Sequence, residues 1–179
     1  LAPLEPAQVE NLCRKMGILP AVARVLLNRG LTGEKEAEQF LHPGPDQLLP
    51  PAKMLGMREA VRRICRALEQ GEKIVIYGDY DADGVTSTAI LMEVLGKLGG
   101  SVNFFLPNRT EGYGLHREIL QRIKEEGASL VITVDCGITA REEARYAQQI
   151  GLDLIITDHH QPQEPLPETT ALLNPLREG

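Results

Sequence analysis

From Lys73 onward, five short apolar runs rich in β-branched residues alternate with stretches of helical period, and this alternation restricts the fold more than any other feature. The runs are Lys73–Tyr77, 102–106, 130–134, Asp153–Thr157 and Ala171–Leu173. Nearly continuous apolar strands of this kind belong in a parallel sheet covered on both faces. Helices fit at 85–98, 115–126 and 139–150, each with a glycine near its C-terminal end. Right-handed crossovers through them give an α/β fold: an open, mostly parallel five-stranded sheet flanked by helices.

The first third of the chain reads as helical. Apolar residues recur at helical spacing over 6–27, with a break around 17–20, and again over 33–41. A Pro/Gly-rich passage from His42 to Pro51 reads as a linker. Met57–Glu69 is then a helix with Ala60, Val61, Ile64, Cys65 and Leu68 on one face. Arg58, Arg62, Arg63 and Arg66 form a basic stripe on it, by default a solvated face, with guidance of a polynucleotide towards the cleft as the lesser alternative. The expected division is a helical segment and linker over 1–56 and an α/β domain over 57–179.

Open α/β sheets collect ligands outside the carboxyl ends of their strands. Four polar clusters stand there: Asp79-Tyr80-Asp81-Ala82-Asp83-Gly84, Asn108-Arg109, Asp135, and Asp158-His159-His160. Three of them offer carboxylate oxygens and imidazoles, and the other offers a guanidinium. Together they are the inventory of a metal-dependent phosphate-cleaving site.

Each cluster has a blander alternative. Asp79-x-Asp81-x-Asp83-Gly84 imitates the start of an EF-hand loop, but position twelve is Ile90, where that loop needs a bidentate Glu. A helix cap accounts for one carboxylate and not for three, because crowded carboxylates repel unless a cation or a proton lies among them. Asp135 alone would be a turn or cap residue; its neighbours on the sheet rim make it a metal candidate, able to bridge two ions. In Asp158-His159-His160 one imidazole can ligate a metal while the other meets phosphate or moves a proton, with Asp158 orienting a ring. Arg109 presents a planar fork for phosphate oxygens beside Asn108. Tyr113, between Gly112 and Gly114, either lets a nucleic-acid strand approach or shapes a tight turn, the latter preferred. His116 is a weaker candidate at a helix start.

The net charge of −6 is uneven: residues 1–72 carry 10 Lys and Arg against 9 Asp and Glu, and residues 73–179 carry 9 against 16. An acidic chain argues against a polyanionic partner. Two divalent ions among the acids would weaken that objection by adding about four positive charges, and a generic acidic enzyme stays open on charge alone. Three cysteines, Cys13, Cys65 and Cys136, lie far apart without a CxxC pair, which suits a reducing, cytoplasmic setting. No apolar run approaches the length of a membrane span.

Taken together the motifs resemble the DHH phosphoesterase superfamily, most closely its RecJ-type single-strand-specific DNA exonucleases. The matching stretches are Tyr77 to Ser87, Pro107-Asn108-Arg109 with Glu111 to Gly114, Val134 to Ile138, Thr157 to His160, and Leu173-Asn174-Pro175. The resemblance implies a two-metal centre of Asp81, Asp83, Asp135 and His159, holding manganese or magnesium. Asp79, Asp158 and His160 would be supporting or phosphate-facing catalytic groups, and Arg109, with Asn108, Tyr113 and His116 nearby, would contact substrate. The implied reaction removes nucleotides from the 5′ end of single-stranded DNA in repair and recombination. A single-strand-binding protein and a helicase are the protein partners it suggests. The family continues into another metal-binding Asp and a DHHA1-type domain, so weaker metal affinity and little nuclease activity are expected of this chain alone. Two other functions remain open from the residues: a phosphodiesterase for oligonucleotides or cyclic dinucleotides, and a non-catalytic nucleic-acid-binding module.

Overall fold

The structure, a computed structural model, describes residues 5–108 and 112–177. Its contacts divide the chain into two compact units, Leu1–Leu49 and Pro50–Gly179. The first unit is helical, with α1 (Pro6–Met16), α2 (Pro20–Asn28) and α3 (Glu34–Leu41) around Val9, Leu12, Ala23, Leu26 and Ala37. Gly17 ends α1 in the left-handed region at φ 66°, and Pro20 opens α2, which explains the break in the helical pattern.

The second unit carries α4 (Met57–Glu69), β1 (Lys73–Tyr77), α5 (Ala82–Lys97), β2 (Ser101–Phe105), α6 (Arg117–Glu125), β3 (Ala128–Val134), α7 (Arg141–Gln149), β4 (Asp153–Thr157) and β5 (Ala171–Leu173). The strands lie in the order β2-β1-β3-β4-β5, and all four pairings are parallel. Strand alternation divides the core. Ile74, Ile76, Leu130, Ile132 and Ile155 pack towards α4 and α5, while Val75, Tyr77, Val131, Leu154 and Ile156 pack towards α6 and α7. Burying each such side chain contributes about 1.5–3 kcal/mol, so a one-residue slip of register would be severely destabilising.

The chain leaves β1 for β2 on one side and then returns past β1 to β3 on the other. That reversal opens a crevice at the carboxyl ends of β1 and β3, where an open α/β sheet binds its ligand. α5 begins three residues earlier than its apolar pattern suggests, because Asp81 caps it: Oδ1 accepts from the backbone N–H groups of Asp83 and Gly84 at 2.9 and 3.0 Å. Close approach of that first turn to the β1 loop requires Gly84, whose hypothetical Cβ would lie 2.5 Å from Asp79 N and O.

The expected face of α4 needs correction. Ala60, Arg63 and Ala67 are its buried residues, whereas Val61 and Cys65 are exposed. Arg63 leaves the basic stripe and lies buried between Glu72 and Asp153.

Candidate metal centre

Three acids meet at the β1/β3 crevice. Asp79 follows β1 and is buried, its Oδ1 accepting from Tyr80 N at 2.7 Å. Asp81 is exposed, and the amide of Gly84 foremost holds its carboxyl below the ordinary range. Asp135 follows β3 and is buried, with a left-handed backbone at φ 62°. Ligand oxygens of Asp79, Asp81 and Asp135 lie within 4.8 Å of one another. A second set, Asp135, His159 and His160, is equally close and shares Asp135.

Asp135 is the informative residue. Neither carboxylate oxygen has a hydrogen-bond partner among the described residues, although His159 Nε2 stands 3.0 Å from Oδ1. Burial, and then the charge of Asp81, push its carboxyl above the usual range. A buried carboxylate without donors is expensive to keep, and its neighbours include further acids. A divalent cation satisfies all of them at once, so oxygen-rich ligands with one or two imidazoles suit manganese or magnesium.

Asp158 is differently employed. Its Oδ2 accepts from Ile138 N at 2.9 Å, and its Oδ1 takes His160 N at 3.0 Å and faces His160 Nδ1 at 2.7 Å. That contact raises the His160 ring above its ordinary value. With Nδ1 directed at Asp158, Nε2 is the nitrogen left for a cation or a phosphate oxygen.

The remaining candidates divide. Asp83 lines a cleft of about 470 Å³ together with Thr86, Ser87, Asp135, Asp158 and His159, but it stands outside both close ligand sets. Tyr113 OH donates to Asp135 O at 3.3 Å and lies 3.2 Å from His160 Nδ1, so it reaches the site rather than only shaping a turn. Burial raises its phenol, which stays protonated. His116 precedes α6, and its Nε2 is buried without a partner among the described residues; it belongs to neither ligand set. Asn108 is exposed beyond β2, and Arg109 lies outside the described residues. Asn174 too is a polar residue directly after an apolar run, though the sequence carries no sign of a role for it at the site. The structure buries it against the His160 backbone.

Residues 73–179 match the family described as "DHH family, N-terminal domain". The chain belongs to the DHH family. Similar curated proteins include the single-stranded-DNA-specific exonuclease RecJ of Bacillus subtilis, 47% identical over 96% of this chain and 22% of the relative. The Escherichia coli enzyme of the same name is 36% identical over 87% of this chain and 27% of the relative. The chain thus spans about a quarter of the length of these relatives. Among solved structures, exonuclease RecJ bound to manganese is 42% identical, with TM-score 0.66, over 72% of this chain and 33% of that one. RecJ of Thermus thermophilus in complex with Mn2+ is 33% identical, also with TM-score 0.66, over 98% of this chain and 24% of that one. The crevice between β1 and β3 is therefore the polar rim of a DHH domain, in a fold shared with metal-bound relatives.

Proposed function

We propose that the α/β unit, residues 57–179 with the short passage before them, is the DHH domain of a RecJ-type exonuclease. It hydrolyses phosphodiester bonds of single-stranded DNA, from the 5′ end, in repair and recombination. Residues 1–56 are its helical segment and linker, and a DHHA1-type domain follows it in the whole protein. The observation that carries this reading is the orphaned, buried Asp135 carboxylate set among Asp79, Asp81 and His159. The 5′ polarity rests on resemblance to the RecJ family and not on geometry.

Asp79, Asp81, Asp135 and His159 would hold the cations, with Asp135 common to both ligand sets, and Asp83 lines the adjoining cleft. Bound manganese or magnesium would lower the pKa of a coordinated water and offset phosphate charge. Asp158 fixes the tautomer and direction of His160, whose Nε2 is free to hold a cation or to hydrogen-bond a phosphate oxygen. Asn108, Arg109, Tyr113 and His116 belong to the substrate side, where the Arg109 guanidinium would hold a backbone phosphate. A cytoplasmic setting, with a single-strand-binding protein and a helicase to present the strand, completes the reading. Among the described residues, no helix is long and apolar enough to cross a membrane.

Calorimetric Mn2+ titration of the wild-type chain and of Asp135→Asn, with digestion of a long 5′-labelled single strand, tests this. Mn2+ binding lost in the variant, with mononucleotide release by the full-length protein, is expected. Equal Mn2+ binding in both, or cleavage of short oligonucleotides only, would overturn it.

A further inference from the structure

The side chains of His159 and His160 are 59% and 49% exposed, so packing does not fix where their rings point. Asp158 turns the His160 ring and Asp135 faces the His159 ring, but the backbone that carries both residues sets where each ring starts from. That backbone is tied down at its start by the sheet, where Asp158 N donates to Leu173 O at 3.0 Å, beyond the last β4–β5 register pair, Thr157 and Leu173. By His160 the strand pairing has ended, and its carbonyl has left the ladder.

Asn174 takes over there. It follows β5 directly and is 1% exposed. Its Nδ2 donates to His160 O at 2.8 Å, and its Oδ1 accepts from Leu176 N at 2.8 Å. One buried amide therefore spends its donor on the His-His loop and its acceptor on the segment after β5. Asn suits the position because its amide holds a donor nitrogen and an acceptor oxygen as separate atoms pointing in two directions, whereas the single Ser oxygen cannot reach both partners. Asp has the same shape but no donor, and would set a carboxylate oxygen against the His160 carbonyl.

We propose that Asn174 is a positioning residue of the metal centre: it fixes the His160 carbonyl, and through that backbone the directions in which His159 and His160 present their ring nitrogens. This deepens the reading of the β1/β3 crevice as a metal centre and rests on it. Groups that orient metal ligands typically contribute 10–100-fold in metal affinity.

The test uses Asn174→Asp, which keeps the acceptor for Leu176 N and loses the donor, and Asn174→Ser, which brings no charge. Leu120→Ala, in the core on α6, serves as a control for general destabilisation. Two quantities are read: Mn2+ affinity by calorimetry, and the His159 and His160 ring ¹⁵N signals of metal-free protein by NMR. Both Asn174 variants should bind Mn2+ at least tenfold more weakly and shift or broaden both ring signals, while Leu120→Ala changes neither. Wild-type ring signals and Mn2+ affinity in either Asn174 variant overturn the proposal and leave the metal centre standing. An equal loss in Leu120→Ala also overturns it, since general destabilisation would then suffice. Absence of Mn2+ binding by the wild-type chain overturns the metal centre and this proposal together.

Discussion

His159 Nε2 lies 3.0 Å from Asp135 Oδ1, so the residues after β4 and β3 meet across the rim of the sheet. The contact joins a half-exposed ring to a carboxylate that is 7% exposed and, this close approach apart, has no hydrogen-bond partner among the described residues. Without a cation, Asp135 is a liability that the rest of the fold must offset.

Asp135→Asn should therefore separate function from stability. The amide removes a buried charge and suits the left-handed backbone better than most side chains. Metal-free protein should gain on the order of 1 kcal/mol, or about 2–4 °C in Tm, while Mn2+ binding disappears. The pH dependence follows from the raised Asp135 carboxyl. Because the folded state holds its proton more tightly than the unfolded state, Asp135 lowers stability as pH rises from the ordinary 3.8 through its folded value. Thermal melts of the two proteins across that acidic range should converge at the low end.

The Asp158–His160 pair predicts a titration. In metal-free protein the His160 ring should titrate above 6.5, and Asp158→Asn should bring it down. The contribution of this pair to stability is present below 6.5 and is lost as pH rises through the folded value. NMR-monitored titration checks the direction. The same variant should lose roughly 10–100-fold in metal affinity, since the ring is no longer oriented.

Arg63→Met tests the opposite end of the sheet. Arg63 is 4% exposed and bridges Glu72, just before β1, to Asp153, the first residue of β4. Removing one partner of a buried ion network costs about 3–5 kcal/mol. Partial exposure of Asp153 lets water compensate, so a loss of about 2–3 kcal/mol is expected. Urea melts should show it, with Mn2+ affinity per folded molecule unchanged.

Gly84→Ala should damage the centre through the backbone. The new methyl would meet Asp79 N and O at 2.5 Å, and neither atom can swing aside. The first turn of α5 must move, at a cost of about 1–3 kcal/mol, and it carries Asp81 with it. Mn2+ affinity measured by calorimetry should fall on the order of tenfold or more.

Much of the α/β unit was legible because its physics is local. β1, β4 and β5 are continuous apolar runs, and their bounds coincide with those read from the pattern. The convergence of Asp79, Asp81, Asp135 and the two histidines followed from the rule that parallel strands place their carboxyl ends on one rim. What escaped was non-local. Arg63 reads as surface charge until Asp153, ninety residues away, is placed beside it. The division of labour among the three loop acids also escaped, because it depends on which carboxylate caps α5 and which turns under the loop. Asp81 does the first and Asp79 the second, leaving Asp83 at the wall of the cleft. Asn174 lay in a matching stretch, but its role escaped because its partner, the His160 main-chain carbonyl, leaves no mark in the sequence.

The strand order β2-β1-β3-β4-β5 contains no hairpin, so no two ligand-bearing segments become neighbours through a short local turn. An EF-hand can catch its ion with a dozen consecutive residues, but here the β1 loop meets Asp135 only after two long crossovers have closed. Partly folded chains would hold scattered acids with little grip on a cation. Divalent ions would thus reward only the finished sheet, and their uptake would serve as a late checkpoint on assembly as well as a requirement for chemistry.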